Sequence, residues 1–109
     1  MSTTFNNLTA AGNSNEAVNL GNSQTITGNL LISGGTFDVS PPSYSITLAG
    51  NLTNNGTFNA DRGLVTLNGN AGQSLGGANP IAFYDLTIAG GAETVSLNAN
   101  EGFSDVLTM

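Results

Sequence analysis

Gly28-Asn29-Leu30-Leu31-Ile32-Ser33-Gly34-Gly35-Thr36-Phe37 is echoed by Gly50-Asn51-Leu52-Thr53-Asn54-Asn55-Gly56-Thr57-Phe58. The Gly-Asn-Leu openings stand 22 residues apart and the Gly-Thr-Phe closings 21 apart. Leu67-Asn68-Gly69-Asn70 repeats the Leu-Ala-Gly-Asn of residues 48–51, 19 positions on. Between these markers lie short alternating runs such as Thr25-Ile26-Thr27, Ser45-Ile46-Thr47-Leu48, Leu64-Val65-Thr66-Leu67, Leu86-Thr87-Ile88 and Val95-Ser96-Leu97. Each is bounded by Gly, Asn or Pro, the pattern of strands and turns. No i, i+3, i+4 apolar pattern marks a helix, and Lys, Arg, Glu and Gln are scarce. The class is all-β. A period near 20–22 with strands this short predicts a coil that climbs one strand spacing per turn, a β-solenoid of about five coils.

The composition narrows what such a coil could do. The 109 residues make one domain. Only 7% are charged, against roughly 25% in an ordinary soluble domain. Seven acids face one base, Arg62, for a net charge of -6. Nucleic acid is not expected as a partner, because phosphate binding needs clustered Lys and Arg. With no Cys and no His, zinc sites and His-based catalysis are not expected either. Disorder is disfavoured, since disordered chains combine low hydrophobicity with high charge. No run of 18 apolar residues suggests a membrane helix, so membrane insertion is not expected. The triplets at Asn7, Asn51 and Asn55 match N-x-[ST], but an Asn- and Thr-rich chain produces these by composition.

A longer echo overlies the short one. Phe5-Asn6-Asn7-Leu8-Thr9-Ala10-Ala11-Gly12 matches Phe83-Tyr84-Asp85-Leu86-Thr87-Ile88-Ala89-Gly90 at five of eight positions, 78 residues apart. After a one-residue gap Val18 aligns with Val95, Leu20 with Leu97, Ile26 with Phe103 and Leu30 with Leu107. Residues 1–109 therefore read as a single β-solenoid domain holding one repeat of about 78 residues and the start of a second.

In a parallel coil the inward side chains of successive turns stack into a narrow dry core. Ile26, Leu30, Ile32, Phe37, Ile46, Leu48, Leu52 and Phe58 are expected to fill one half. Val65, Leu67, Phe83, Leu86, Ile88, Val95 and Leu97 fill the other, each side chain contributing about 1.5–3 kcal/mol. Gly and Asn at the corners supply positive φ, and stacked asparagines can hydrogen-bond up the axis. Low charge follows from the same geometry, because like charges one strand apart repel.

These glycine-asparagine segments, together with Val65-Thr66-Leu67-Asn68-Gly69, Gln73-Ser74-Leu75-Gly76 and Phe83-Tyr84-Asp85-Leu86-Thr87-Ile88, resemble the repeats of large secreted bacterial parallel β-helix proteins, the adhesin-like and autotransporter-passenger-like surface proteins. The resemblance covers most of residues 5–109 and is architectural. It implies a right-handed parallel β-helix, export to the bacterial cell surface, and a structural or adhesive role. It carries over no catalytic, cofactor-binding or metal-binding residue.

Several residues invite a functional reading. Asp38, Asp61, Asp85 and Asp105 recur at spacings of 23, 24 and 20, as a Ca²⁺-binding carboxylate column would. Turn aspartates that bond local backbone give the same pattern and are the preferred reading. Paired acids could serve a polysaccharide-degrading β-helix, but such lyases use bases beside the cleaved uronate, and Arg62 stands alone; no catalysis is expected. Thr25-x-Thr27 and Ser45-x-Thr47 could begin an ice-binding array, which Leu64-Val65-Thr66-Leu67 and Leu86-Thr87-Ile88 are expected to interrupt. The phenylalanines are expected to stack in the core, leaving Tyr44 and Tyr84 as the exposed rings for a glycan. Pro41-Pro42 marks a loop leaving the coil.

Neither end carries the polar cap that a solenoid needs. Thr4-Phe5-Asn6-Asn7-Leu8-Thr9 begins the pattern at once, and Asp105-Val106-Leu107-Thr108-Met109 stops within it. The expectation is either a piece of a longer protein or a protomer that stacks end to end through main-chain pairing. The function expected is a self-associating structural subunit or segment of an extracellular fibre or surface assembly. An adhesin module that binds glycans or a host surface is the alternative.

Overall fold

The computed structural model describes residues 2–13, 17–19, 22–39, 44–60, 62–89, 95–97 and 101–108. Fourteen strands succeed one another along them: β1 (Ser2–Phe5), β2 (Leu8–Ala10), β3 (Ala17–Asn19), β4 (Ser23–Ile26), β5 (Leu30–Ile32), β6 (Thr36–Asp38), β7 (Ile46–Leu48), β8 (Leu52–Asn54), β9 (Thr57–Asn59), β10 (Leu64–Leu67), β11 (Gln73–Gly76), β12 (Ile81–Ile88), β13 (Val95–Leu97) and β14 (Glu101–Thr108). Every strand pair is parallel. The chain is an all-β parallel solenoid.

Three walls enclose it. The first holds six strands in the order β1-β4-β7-β10-β12-β14, the second holds five in the order β13-β11-β8-β5-β2, and the third holds three, β3-β6-β9. Three turns, β1–β3, β4–β6 and β7–β9, place one strand on each wall; β10 to β14 carry the first two walls onward. Each strand pairs with the one a turn away in sequence, so parallel pairing needs no helical crossover.

The alternation read from the sequence sets which residues face inward. In β5, β7 and β8 the outer two residues are buried and the middle one is half-exposed. The core contains Ile26, Leu30, Ile32, Phe37, Ile46, Leu48, Leu52, Phe58, Val65, Leu67, Phe83 and Leu86, as the pattern predicted. It also takes in Ala10, Val39, Ala60 and Ile81, which lie at strand ends or corners, and Leu75, an inward residue within β11, all outside the alternating runs quoted above. Ile88 and Val95 are only partly buried against it, and the side chain of Leu97 lies outside the described residues. Leu64, next to buried Val65, is 38% exposed because it starts its strand on the outward phase.

Phe37 stacks on Phe58 and Phe83 meets Phe58 edge to face in the interior, with ring centroids 6.2 and 5.9 Å apart. The contact with Phe83 joins the third wall to β12, whose first residues lie beside β9 and whose last residues belong to the first wall. Phe5 is only partly buried. The two segments 78 residues apart fall on different walls: Leu8 sits in the second, on β2, and Leu86 in the first, on β12.

Candidate functional site

The first wall carries an unbroken register of threonines. Thr4 pairs with Thr25, Thr25 with Thr47, Thr47 with Thr66, Thr66 with Thr87, and Thr87 with Thr108. Thr4 is exposed, and Thr25, Thr47, Thr66 and Thr87 are half-buried. A single column thus continues through Thr66 and Thr87, because Val65, Leu67, Leu86 and Ile88 alternate with them in phase. The two-column Thr-x-Thr array is interrupted as expected: Leu64 stands two residues before Thr66, where Ser45 precedes Thr47, and it pairs with Asp85. A second threonine column is absent from the described part of the wall. Hydrogen bonds from Thr27, Ala49, Asn68 and Ala89 to the preceding turns place these four residues one above another.

Beside that wall, a ladder of asparagines climbs the corner leading to the second. Asn7 Oδ1 accepts the backbone N–H of Asn29 at 2.8 Å, Asn29 Oδ1 that of Asn51 at 2.8 Å, and Asn51 Oδ1 that of Ser74 at 2.9 Å. The expected side-chain ladder thus runs from amide oxygen to backbone, which satisfies corner N–H groups that no strand neighbour reaches. The Gly before each of two rungs has a steric reason. A Cβ on Gly28 would collide with Asn7 Oδ1, and one on Gly50 with Asn29 Oδ1 and Gly28 O. Positive φ, expected at the corners generally, occurs among the described glycines at Gly35 (68°) and Gly77 (119°). Asn7, Asn51 and Asn55, the three N-x-[ST] asparagines, each use Oδ1 to hold a backbone N–H of the next turn.

Two buried amides, which binary patterning had no means of singling out, fasten the upper turns. Gln73 donates from Nε2 to Leu48 O (3.0 Å) and Gly50 O (2.6 Å), and its Oε1 accepts from Gly69 N (2.8 Å). Asn54 donates from Nδ2 to Pro80 O (2.8 Å) and accepts from Gly56 N (3.2 Å). Asn79 donates from its backbone to Asn54 O and from Nδ2 to Gly56 O. A shallow groove of about 300 Å³ follows that corner, bordered by Asn55, Thr57 and Asn79 over a floor of glycines. No charged side chain lines it.

The aspartates do not assemble into a column. Asp38 lies on β6 of the third wall and Asp85 on β12 of the first. Asp61 lies outside the described residues, and Asp105 falls in β14 where the register shifts. Among the described residues no group of three acidic or other metal-ligating side chains comes together. Tyr44 and Tyr84, expected to be exposed, are half-buried, Tyr84 against the core. Pro41 and Pro42 lie outside the described residues, and Arg62 is exposed.

The outer positions of the walls are held by the first and last of the described strands. β1, β2 and β3 are the last strands of their walls on one side, and β14 and β13 are the last of theirs on the other. A parallel edge of this kind presents N–H and C=O groups able to pair with another strand. No protein family, curated protein or solved structure matches the chain.

Proposed function

We propose that this chain is a structural, self-associating subunit or segment of an extracellular fibre or bacterial surface assembly, without catalysis. The observation that carries the reading is the first wall, whose six described strands keep one parallel register with a threonine in each, from Thr4 on β1 to Thr108 on β14. Opposite edges of a parallel wall are complementary to each other, so copies add head to tail. A heterologous contact that does not close gives an open filament. The charge-poor surface supports the same reading, since stacked copies then bring few like charges together. The coil in this reading is right-handed, the hand that parallel connections favour, and runs to about five turns when β10–β14 are counted with the three below. Electron microscopy of purified protein tests the proposal: rods of variable length are expected, and a uniform monomer by light scattering at high concentration would sink it.

The groove over Asn55, Thr57 and Asn79 favours a second reading, an adhesin module that binds neutral glycans through amide and hydroxyl groups. A specific hit on a glycan array in the absence of rods would select it.

A further inference from the structure

The sequence holds two Asn-Gly pairs, Asn55-Gly56 at the corner after β8 and Asn68-Gly69 at the corner after β10. An asparagine followed by glycine can modify itself. The glycine backbone nitrogen attacks the asparagine Cγ, since no side chain on the glycine obstructs the approach. That nitrogen gives up its proton, the new N–Cγ bond closes a five-membered succinimide, and the carboxamide nitrogen leaves as ammonia. Water then opens the ring at either carbonyl, giving aspartate or, with the backbone rerouted through the side chain, isoaspartate. One water is consumed and one ammonia released, with no oxidation or reduction.

The fold requires glycine at both places. A Cβ on Gly69 would collide with Ala49 O and crowd Gln73 Oε1, and one on Gly56 would collide with Gly35 O. The two corners restrain the reaction differently. At the first, both reacting groups are engaged: Asn55 Oδ1 accepts the N–H of Ala78 at 2.9 Å, and the N–H of Gly56 donates to Asn54 Oδ1 at 3.2 Å. At the second, Asn68 is exposed and the restraint falls on the nucleophile. The N–H of buried Gly69 donates to Gln73 Oε1 at 2.8 Å. Gln73 is buried too, and its Nε2 is fixed by Leu48 O and Gly50 O, so this acceptor does not follow the glycine outward.

We propose that Asn68-Gly69 is a latent self-modification site, held closed by Gln73 and opened when its corner loosens. The product would alter the first wall. Asn68 stacks above Ala49 and below Ala89, beside the threonine register, and its N–H donates to Leu48 O at 3.0 Å. Deamidation adds a negative charge to this charge-poor face, and isoaspartate also lengthens the backbone within the corner.

Peptide mapping by mass spectrometry in mildly alkaline buffer follows both pairs in one molecule, through the mass gained when NH₂ is replaced by OH. In the folded, unsubstituted protein Asn68 should convert at least about ten-fold more slowly than in the urea-unfolded chain, because a buried hydrogen bond must break before attack. Gln73→Met keeps the volume but offers Gly69 no comparable acceptor. It should bring Asn68 towards the unfolded rate while Asn55, in the same molecules, stays near its native rate. A second measurement needs no variant: in urea below the unfolding transition, Asn68 conversion should rise in step with hydrogen exchange at the Gly69 amide. Conversion of Asn68 as fast in the folded as in the unfolded chain would overturn the proposal. So would a folded Gln73→Met protein in which Asn68 stays slow or gains no more than Asn55. Should that variant not fold, conversion that fails to follow Gly69 exchange in urea would overturn it instead.

Discussion

The turns from β4 to β9 and the part of the solenoid from β10 onward are built from the same residues, yet they solve the corner problem differently. In the lower part, residues 27–29 and 49–51 make corners of equal length, and one asparagine per turn reaches the next backbone N–H. In the upper part the corresponding corner swells to residues 68–72, and the next to residues 77–80. The asparagine ladder ends at Ser74, and Gln73 and Asn54 bridge the extra backbone from inside. Asn51 Oδ1 still reaches Ser74 N and Asn55 Oδ1 still reaches Ala78 N across the change in corner length, while the added backbone itself is held from inside by the buried amides of Gln73 and Asn54.

The Phe37–Phe58–Phe83 cluster crosses the boundary between the two parts, so removing its middle member is expected to have the largest effect. Phe58→Ala should cost about 3–5 kcal/mol, read as a fall in urea midpoint, and should let the upper turns exchange amide hydrogens before the lower ones. Phe58→Leu, which keeps most of the volume, should cost less than half as much. If both parts lose protection together after Phe58→Ala, the boundary has no energetic meaning.

Gln73→Ala attacks the upper solution alone. It takes the Gln73 amide from Gly50 O and Gly69 N, and one of two donors from Leu48 O, which keeps the N–H of Asn68; a buried group left unpaired costs about 1–3 kcal/mol. A loss near 3 kcal/mol is expected, with accelerated exchange at Gly69 and its neighbours. Gly50→Ala tests the lower solution, because its Cβ would meet Gly28 O and Asn29 Oδ1. Overpacking of this kind costs about 1–3 kcal/mol, and exchange should quicken at the Asn51 amide, whose N–H bonds Asn29 Oδ1. Equal effects of the two substitutions on both amides would dissolve the distinction between the parts.

These particulars also mark how far the sequence could be read. Period and alternation suffice for an all-β parallel coil and most of its core, because both depend on nearest-neighbour spacing along the chain. The Gly28-Asn29 and Gly50-Asn51 pairs pointed to a ladder, but its form depended on which backbone group each amide meets. Asn54 and Gln73 gave no signal: polar residues at inward positions look like errors of phase until the extra corner residues they bond are seen. The threonine register was hidden for a related reason. The intervals from Thr25 to Thr47, Thr66 and Thr87 are unequal, and only pairing aligns them.

That register allows the smallest effect to be measured cleanly. If neutral side chains dominate the walls because stacked charges repel, then Thr47→Lys and Thr66→Lys should each be nearly neutral alone. Together they should be worse than additive, since two ammonium groups on adjacent strands repel by about 1 kcal/mol in water. Flexible lysines splay apart, which reduces the coupling further, and 0.5 M salt should erase most of it because the screening length falls to about the strand spacing. Thr47→Lys with Thr66→Glu should reverse the sign. A double-mutant cycle with no coupling at low salt would mean that the scarcity of charge in this chain has a cause other than the stacking of its walls.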